Sequence, residues 1–305
     1  MRAAIELVVC AAVVLGACED KPAIPDAPRF ADAAPPPSRA VPALPPVTGA
    51  TADAGKAAFA RKCASCHAAD GRGGDAPGPL APTDLTAAGF LCQTTLAGGP
   101  SDADLDGAID RGVHRFADVP AVERRSLTLF VRSLRPPGMP ERVLDVPPEP
   151  ADTPADRARG RTLYLAFGCW RCHGTDGAGD GTAVRFLAWN RHGLTKLRAL
   201  ADRSASVCGD APERVFTTIA LGLGGRPALM PRHLETFDAA ARPPGEPEAW
   251  TRSLAGVVPA AEVDAVRAFY AGLPAKADVA RLPADERRRR SSAWTWSLVH
   301  YVRGL

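Results

Sequence analysis

The sequence predicts a mainly α-helical protein made of two tandem helical domains. Three observations carry that prediction. The pentapeptide Cys-x-x-Cys-His occurs twice, as Cys63-Ala-Ser-Cys66-His67 and Cys169-Trp-Arg-Cys172-His173. Similar landmarks surround each copy in the same order. The chain is 305 residues long, room for about two domains of ~150 residues. Aromatic residues make up only 6% of it, few for the cores of two such domains.

Residues 1–18 read as a lipoprotein signal peptide. Arg2 supplies the positive start, and the apolar run from Ile5 to Leu15 is too short to span a bilayer. The run ends in Leu15-Gly16-Ala17-Cys18, which resembles the bacterial lipobox. That resemblance implies a lipid-modified Cys18. The alternative is an ordinary cleaved secretory signal with an incidental cysteine. Multiple acyl chains on one residue anchor stably, whereas a single chain binds only marginally. Glu19 favours sorting to the outer membrane over the inner. Residues 19–52 are rich in Pro and Ala, with Pro35-Pro36-Pro37 and Pro45-Pro46. Such a composition favours an extended tether, on the order of 100 Å at ~3.1 Å per residue. A second proline-rich stretch at 136–156 is expected to link the domains.

The first domain is expected over 53–135. Gly55 and Phe59 lead into Cys63, and a glycine-rich turn from Asp70 to Asp75 follows the histidine. Asp84-Leu85-Thr86 comes next. Ser101 and Asp104 then have capping-box spacing, before a helix with Leu105, Ala108 and Ile109 on one face and Gly112 as its stop. Leu127, Val131 and Leu134 stripe the closing helix. The second domain is expected over 157–305. Gly160 and Tyr164 lead into Cys169, and Gly174 to Gly181 form the turn. Gly193-Leu194-Thr195 then matches Asp84-Leu85-Thr86. Asp210 and Glu213 repeat the box spacing, with Val215 and Ile219 inward and Gly222 at the end. Trp294, Leu298, Tyr301 and Val302 stripe the last helix. An insertion at about 232–285, with a helix carrying Val263, Val266, Phe269 and Tyr270, reads as a peripheral decoration rather than a haem cover or partner surface.

Each Cys-x-x-Cys-His reads as a covalent attachment site for haem c. Two thiols three residues apart reach the two vinyl groups of one porphyrin, and the next histidine takes an axial position on the iron. Cys63, Cys66 and His67 would hold one haem, and Cys169, Cys172 and His173 the other. Each flat apolar macrocycle would fill the core that few aromatics leave open. The order of an N-terminal helix, attachment motif, loops, middle helix, ligand loop and C-terminal helix resembles class I cytochrome c. The resemblance covers most of 53–135 and 157–305, and implies two tandem cytochrome c-like domains, each wrapped around one covalent haem.

In that family the distal ligand is usually the methionine of a Met-Pro step, and Met230-Pro231 occupies that place in the second domain. A thioether favours reduced iron more than a second imidazole does. In the first domain the step aligns with Val119-Pro120. No Met lies between His67 and Met139, and His114 stands two residues after Gly112. His114 is therefore expected as the first haem's distal ligand, with an exposed loop histidine as the alternative. Met139-Pro140 lies beyond the closing helix. His192, His233 and His300 have no motif support as ligands.

Cys92 and Cys208 remain. In an oxidising compartment they suggest a bridge between domains. Free thiols, or Cys92 as a thiolate ligand, stay open. The formal charge of +3 gives no support for nucleic-acid binding. Arg287-Arg288-Arg289-Arg290 reads as a solvated helix start. Together these features predict a membrane-tethered dihaem protein carrying electrons between periplasmic or outer-membrane redox partners. The alternatives are a dihaem peroxidase or sulfur-compound oxidoreductase, and a dedicated cytochrome subunit of a larger dehydrogenase or reductase.

Overall fold

The computed structural model describes residues 38–73, 84–86, 92–96, 99–110, 119–135, 142–186, 196–203, 208–223, 230, 233, 247–274 and 276–305. All of these belong to one unit, residues 34–305, the other being residues 1–33. The expected signal peptide with Cys18, His114, Met139-Pro140, His192 and Gly193-Leu194-Thr195 lie outside the described residues. None of the described helices is long and apolar enough to cross a membrane.

In the first module α1 (Ala52–Lys62) runs into the short α2 (Ala64–His67), and α3 (Asp102–Asp110) and α4 (Ala121–Ser133) follow. Thr51 caps α1, its hydroxyl accepting from Ala54 N at 3.1 Å. Helix α1 crosses α4 closely because Gly55 has no side chain. A Cβ there would lie 2.9 Å from Phe130 Cβ and collide with the Ser126 carbonyl. The two helices bury Ala58 and Phe59 against Leu127, Phe130 and Val131, each large side chain worth ~1.5–3 kcal/mol. The expected capping box is formed. Asp104 N donates to Ser101 Oγ at 3.1 Å, and Ser101 N to Asp104 Oδ2 at 3.0 Å.

The second module has α5 (Pro154–Ala166), α6 (Trp170–His173), a 3₁₀ turn at Thr182–Phe186 and α7 (Pro212–Leu221). It continues with α8 (Pro247–Leu254), α9 (Ala260–Ala271), α10 (Lys276–Arg281) and α11 (Ala284–Arg303). Thr153 caps α5 as Thr51 caps α1. Gly160 lets α5 cross α11, since a Cβ would lie 2.6 Å from Tyr301 Cβ and 2.7 Å from the Ser297 carbonyl carbon. Ser126 and Phe130 in one module thus correspond to Ser297 and Tyr301 in the other. The ring pairs Phe59–Phe130 and Tyr164–Tyr301 stand 5.1 Å and 5.3 Å apart.

Three expectations are corrected. Asp210 and Glu213 do not form a capping box. Pro212 takes the first helical position, which moves the cap to Ala211, and no side chain bonds there. The face of α7 turns accordingly: Phe216, Thr217, Ala220 and Leu221 are the buried residues, with Val215 and Ile219 at the margin. The insertion is not a decoration, because α8 and α9 complete the second core. Leu254, Val263 and Val266 pack on Leu163 to Ala166. Trp250 Nε1 and Tyr270 Oη both donate to the Ala166 carbonyl, at 2.7 Å and 2.5 Å. Finally, the Pro/Ala-rich stretch is held down from Ser38 onward. Strand β1 (Ser38–Ala40) pairs antiparallel with β2 (Arg142–Leu144), and Arg125 donates to the Pro45 carbonyl at 2.6 Å.

Strand β2 also ties the modules together. Leu96 N donates to Arg142 O, and Leu144 N to Thr94 O. Leu144 then joins Phe216, Ala220, Leu221, Trp296 and Val299 in a shared core, with Leu96 against it. Helix α11 is consequently buried on two sides, with Leu298 in the second-module core and Trp296 and Val299 in the shared one. Cys92 and Cys208 form a disulfide, with Cα atoms 5.3 Å apart, and Arg214 lies 3.8 Å from Asp104 across the same junction.

Candidate haem-attachment sites

Each Cys-x-x-Cys-His sits on one tight helical turn entered from the long first helix of its module. Cys63 N donates to Phe59 O at 2.8 Å, and Cys169 N to Tyr164 O at 3.1 Å. His67 N and His173 N each donate to the first cysteine's carbonyl, both at 2.9 Å. The next residue leaves the helix with positive φ: Ala68 at φ 59, ψ 166 and Gly174 at φ 80, ψ 162. Gly73 N then returns to His67 O at 2.9 Å, and Gly179 N to His173 O at 2.7 Å. Gly71 and Gly177 have φ 75 and 78. A Cβ on either would lie 2.6 Å from a leucine Cδ1 at its module's end, Leu134 or Leu305.

The same frame shows which downstream residue corresponds to Leu85. Leu85 N donates to Gly71 O at 2.7 Å, and Leu200 N to Gly177 O at 2.8 Å. Leu200, six residues beyond the sequence-matched Leu194, therefore holds the equivalent hydrogen bond. The loop before it is longer in the second module, which shifts the register that matching short strings suggested.

All four motif cysteines carry free thiols. Burial pushes the Cys169 thiol up to about 12. It also raises Cys63 and Cys172, against the pull of Lys62 and Arg171 respectively. Cys66 is exposed. His67 is buried. Burial lowers the pKa of His173, which keeps the imidazole neutral, the form that binds metal. His173 Nδ1 and Trp170 Nε1 are enclosed without a hydrogen-bond partner. Orphaned polar atoms of this kind are uncommon in proteins. Two free thiols and a shielded imidazole on one turn fit a covalent haem. Among the described residues, no three His, Cys, Asp or Glu side chains gather into a site for a bare metal ion.

Met230 is half-buried and paired with Leu223 beyond α7 in an antiparallel bridge, Leu223 N donating to Met230 O at 3.1 Å. His233, which has no motif support as a ligand, lies near the second attachment turn. Its amide donates to Ala220 O at 3.2 Å. Its ring meets Phe167 edge-on at 6.5 Å, beside the attachment turn. Burial and then the nearby His173 push its imidazole down to about 4. The signal available was only its place three residues after Met230. His300 instead is structural. Its Nδ1 lies 2.5 Å from Asp156 Oδ2 and its Nε2 3.2 Å from Glu149 Oε1, which locks α11 to α5. In the Arg287–Arg290 run, Arg289 and Arg290 pair with Asp285 and Glu286.

Residues 52–129 match the Cytochrome c family. That cytochrome c domain spans α1 through most of α4 and includes Cys63, Cys66 and His67, and its family binds haem c covalently and transfers electrons. Comparison with curated proteins finds no match. Among solved structures, the chain is similar to one from the Kuenenia stuttgartiensis reducing HAO-like protein complex. The identity is 20% and the TM-score 0.55, covering 85% of this chain and 98% of that one. At that identity the likeness is one of fold.

Proposed function

We propose that the chain is a dihaem electron-transfer protein, tethered through lipidated Cys18 to the periplasmic side of a bacterial membrane, the outer membrane before the inner. The observation that carries this reading is the repeat of the attachment turn, hydrogen bond by hydrogen bond, in both halves of one unit. Two covalently held haems would supply one-electron chemistry. Cys63 with Cys66, and Cys169 with Cys172, hold them. His67 and His173 are the proximal ligands, Met230 the distal ligand of the second site and His114 that of the first.

Unequal ligand sets would separate the two potentials, the imidazole pair lower and the His/Met pair higher, and so give transfer a direction. The disulfide, the β2 pairing and the shared core support a fixed separation between the two sites. With the chain held down from Ser38, only residues 19–37 remain to serve as the proposed tether, which would reach roughly 60 Å if extended at ~3.1 Å per residue. The partners are a donor and an acceptor protein, with no nucleic acid.

A second reading, a dedicated cytochrome subunit of a larger redox complex, is favoured by the fold likeness to a chain of the HAO-like complex. It keeps the same chemistry and changes only the partner. Low-temperature EPR of the oxidised protein during a potentiometric titration tests the proposal. Two low-spin ferric signals with separated potentials are expected. A high-spin signal that binds cyanide or peroxide would replace the carrier with a dihaem enzyme, a peroxidase or sulfur-compound oxidoreductase.

A further inference from the structure

Beyond α7 stand two residues with iron-binding side chains, Met230 and His233. His233 is fixed by its amide on Ala220 in the last turn of α7, and Met230 by its backbone bridge to Leu223, just beyond that helix. The ring of His233 does not point to solvent. Its Nδ1 is enclosed, and it meets Phe167, two residues before Cys169, which in turn meets Trp294 and Phe269 at 6.1 Å each. These aromatics cluster beside the attachment turn. His173 is near enough to act electrostatically on His233. A buried imidazole in range of the proximal ligand is placed to be more than packing. Imidazole suits iron well as a ligand.

We propose that His233 is a second distal donor for the haem of the second module, interchangeable with Met230. The proposal rests on the dihaem reading above and deepens it. Methionine holds the site when iron is reduced, and His233 closes it when the thioether is lost. The consequence is a site that passes to bis-histidine coordination rather than opening to ligands. That behaviour belongs to a carrier and excludes peroxide chemistry at this position.

The test uses full-length holoprotein carrying Met230→Leu, alone and with His233→Phe. Leu conserves the volume of Met, and Phe keeps a ring against Phe167, so the core should survive. Haem number is measured first, by mass. Wild-type protein with one haem overturns the dihaem reading and this one with it. With two haems present, ferric EPR and cyanide binding decide. Met230→Leu should stay low-spin at both haems, refuse cyanide at the second, and show a lowered potential for that haem alone. The double variant should turn one haem high-spin and bind one equivalent of cyanide. A Met230→Leu protein that is already high-spin removes His233 from the coordination sphere, and a double variant that stays low-spin assigns the donor elsewhere. Should the double variant lose its haem, pulsed EPR on Met230→Leu still decides. Two axial histidine nitrogens at the second iron support the proposal, and one overturns it.

Discussion

Replacing Gly160 by alanine should destabilise the second module even though alanine is the better helix former. The new Cβ would lie 2.6 Å from Tyr301 Cβ and 2.7 Å from the Ser297 carbonyl carbon, and nearer still to that carbonyl's oxygen. Ordinary contact begins near 3.4 Å, so α5 and α11 must part by about 1 Å, since overpacked backbone has no rotamer to escape through. That overpacking costs ~1–3 kcal/mol. Parting the helices also stretches the bonds from Ser297 Oγ to Asp156 Oδ1 at 2.7 Å and from His300 Nδ1 to Asp156 Oδ2 at 2.5 Å. Each of these is worth about 1–3 kcal/mol when its partner is charged. Alanine returns ~1 kcal/mol of helix propensity. The balance is a loss of about 2–3 kcal/mol. At ~2–4 °C per kcal/mol for a unit of this size, Tm should fall by roughly 5–10 °C. Thermal unfolding of the holoprotein, followed by far-UV CD and Soret absorbance, reads this directly. An unchanged or raised Tm would refute the close crossing and the role given to this glycine.

The Cys92–Cys208 bridge spans 116 residues, so its removal by paired Ala substitutions should cost about 5 kcal/mol on the chain-entropy relation. Denaturant unfolding measures the loss, and non-reducing peptide mapping should yield the Cys92–Cys208 pair. Ala68 has φ 59, ψ 166 where its counterpart is Gly174. Ala68→Gly should relieve ~1–3 kcal/mol of backbone strain against ~0.5–1 kcal/mol of chain entropy, and a Tm that falls would contradict the repeat. In chain made without haem, the Cys169 thiol stays protonated until about pH 12. Its thiolate fraction near pH 8 is then about a thousandfold below that of an ordinary thiol. Iodoacetamide should label exposed Cys66 first and Cys169 last, with Cys169 labelling rising about tenfold per pH unit. Equal rates would place Cys169 outside the core.

The elements that sequence determined are those set by local chemistry. Two Cys-x-x-Cys-His turns, the helices that lead into them, the Ser101–Asp104 box and the stripe of Leu127 and Val131 all depend on residues within a few positions of one another. Spacing alone is enough to describe them. Gly55 and Gly160 could be marked as landmarks, but not why they are glycines, because the colliding carbonyls of Ser126 and Ser297 come from the far end of each module. Tertiary structure decided the rest. It matched Leu200 to Leu85 through a hydrogen bond that a longer loop had displaced. It turned α7 so that Phe216 and Ala220, rather than Val215, face inward, because Pro212 moved the cap. It made the insertion a core, because Trp250 and Tyr270 reach the Ala166 carbonyl. It brought His233 beside His173, sixty residues away in sequence. Local patterns specify which groups a segment offers. Only the packing of distant segments specifies which group each one meets.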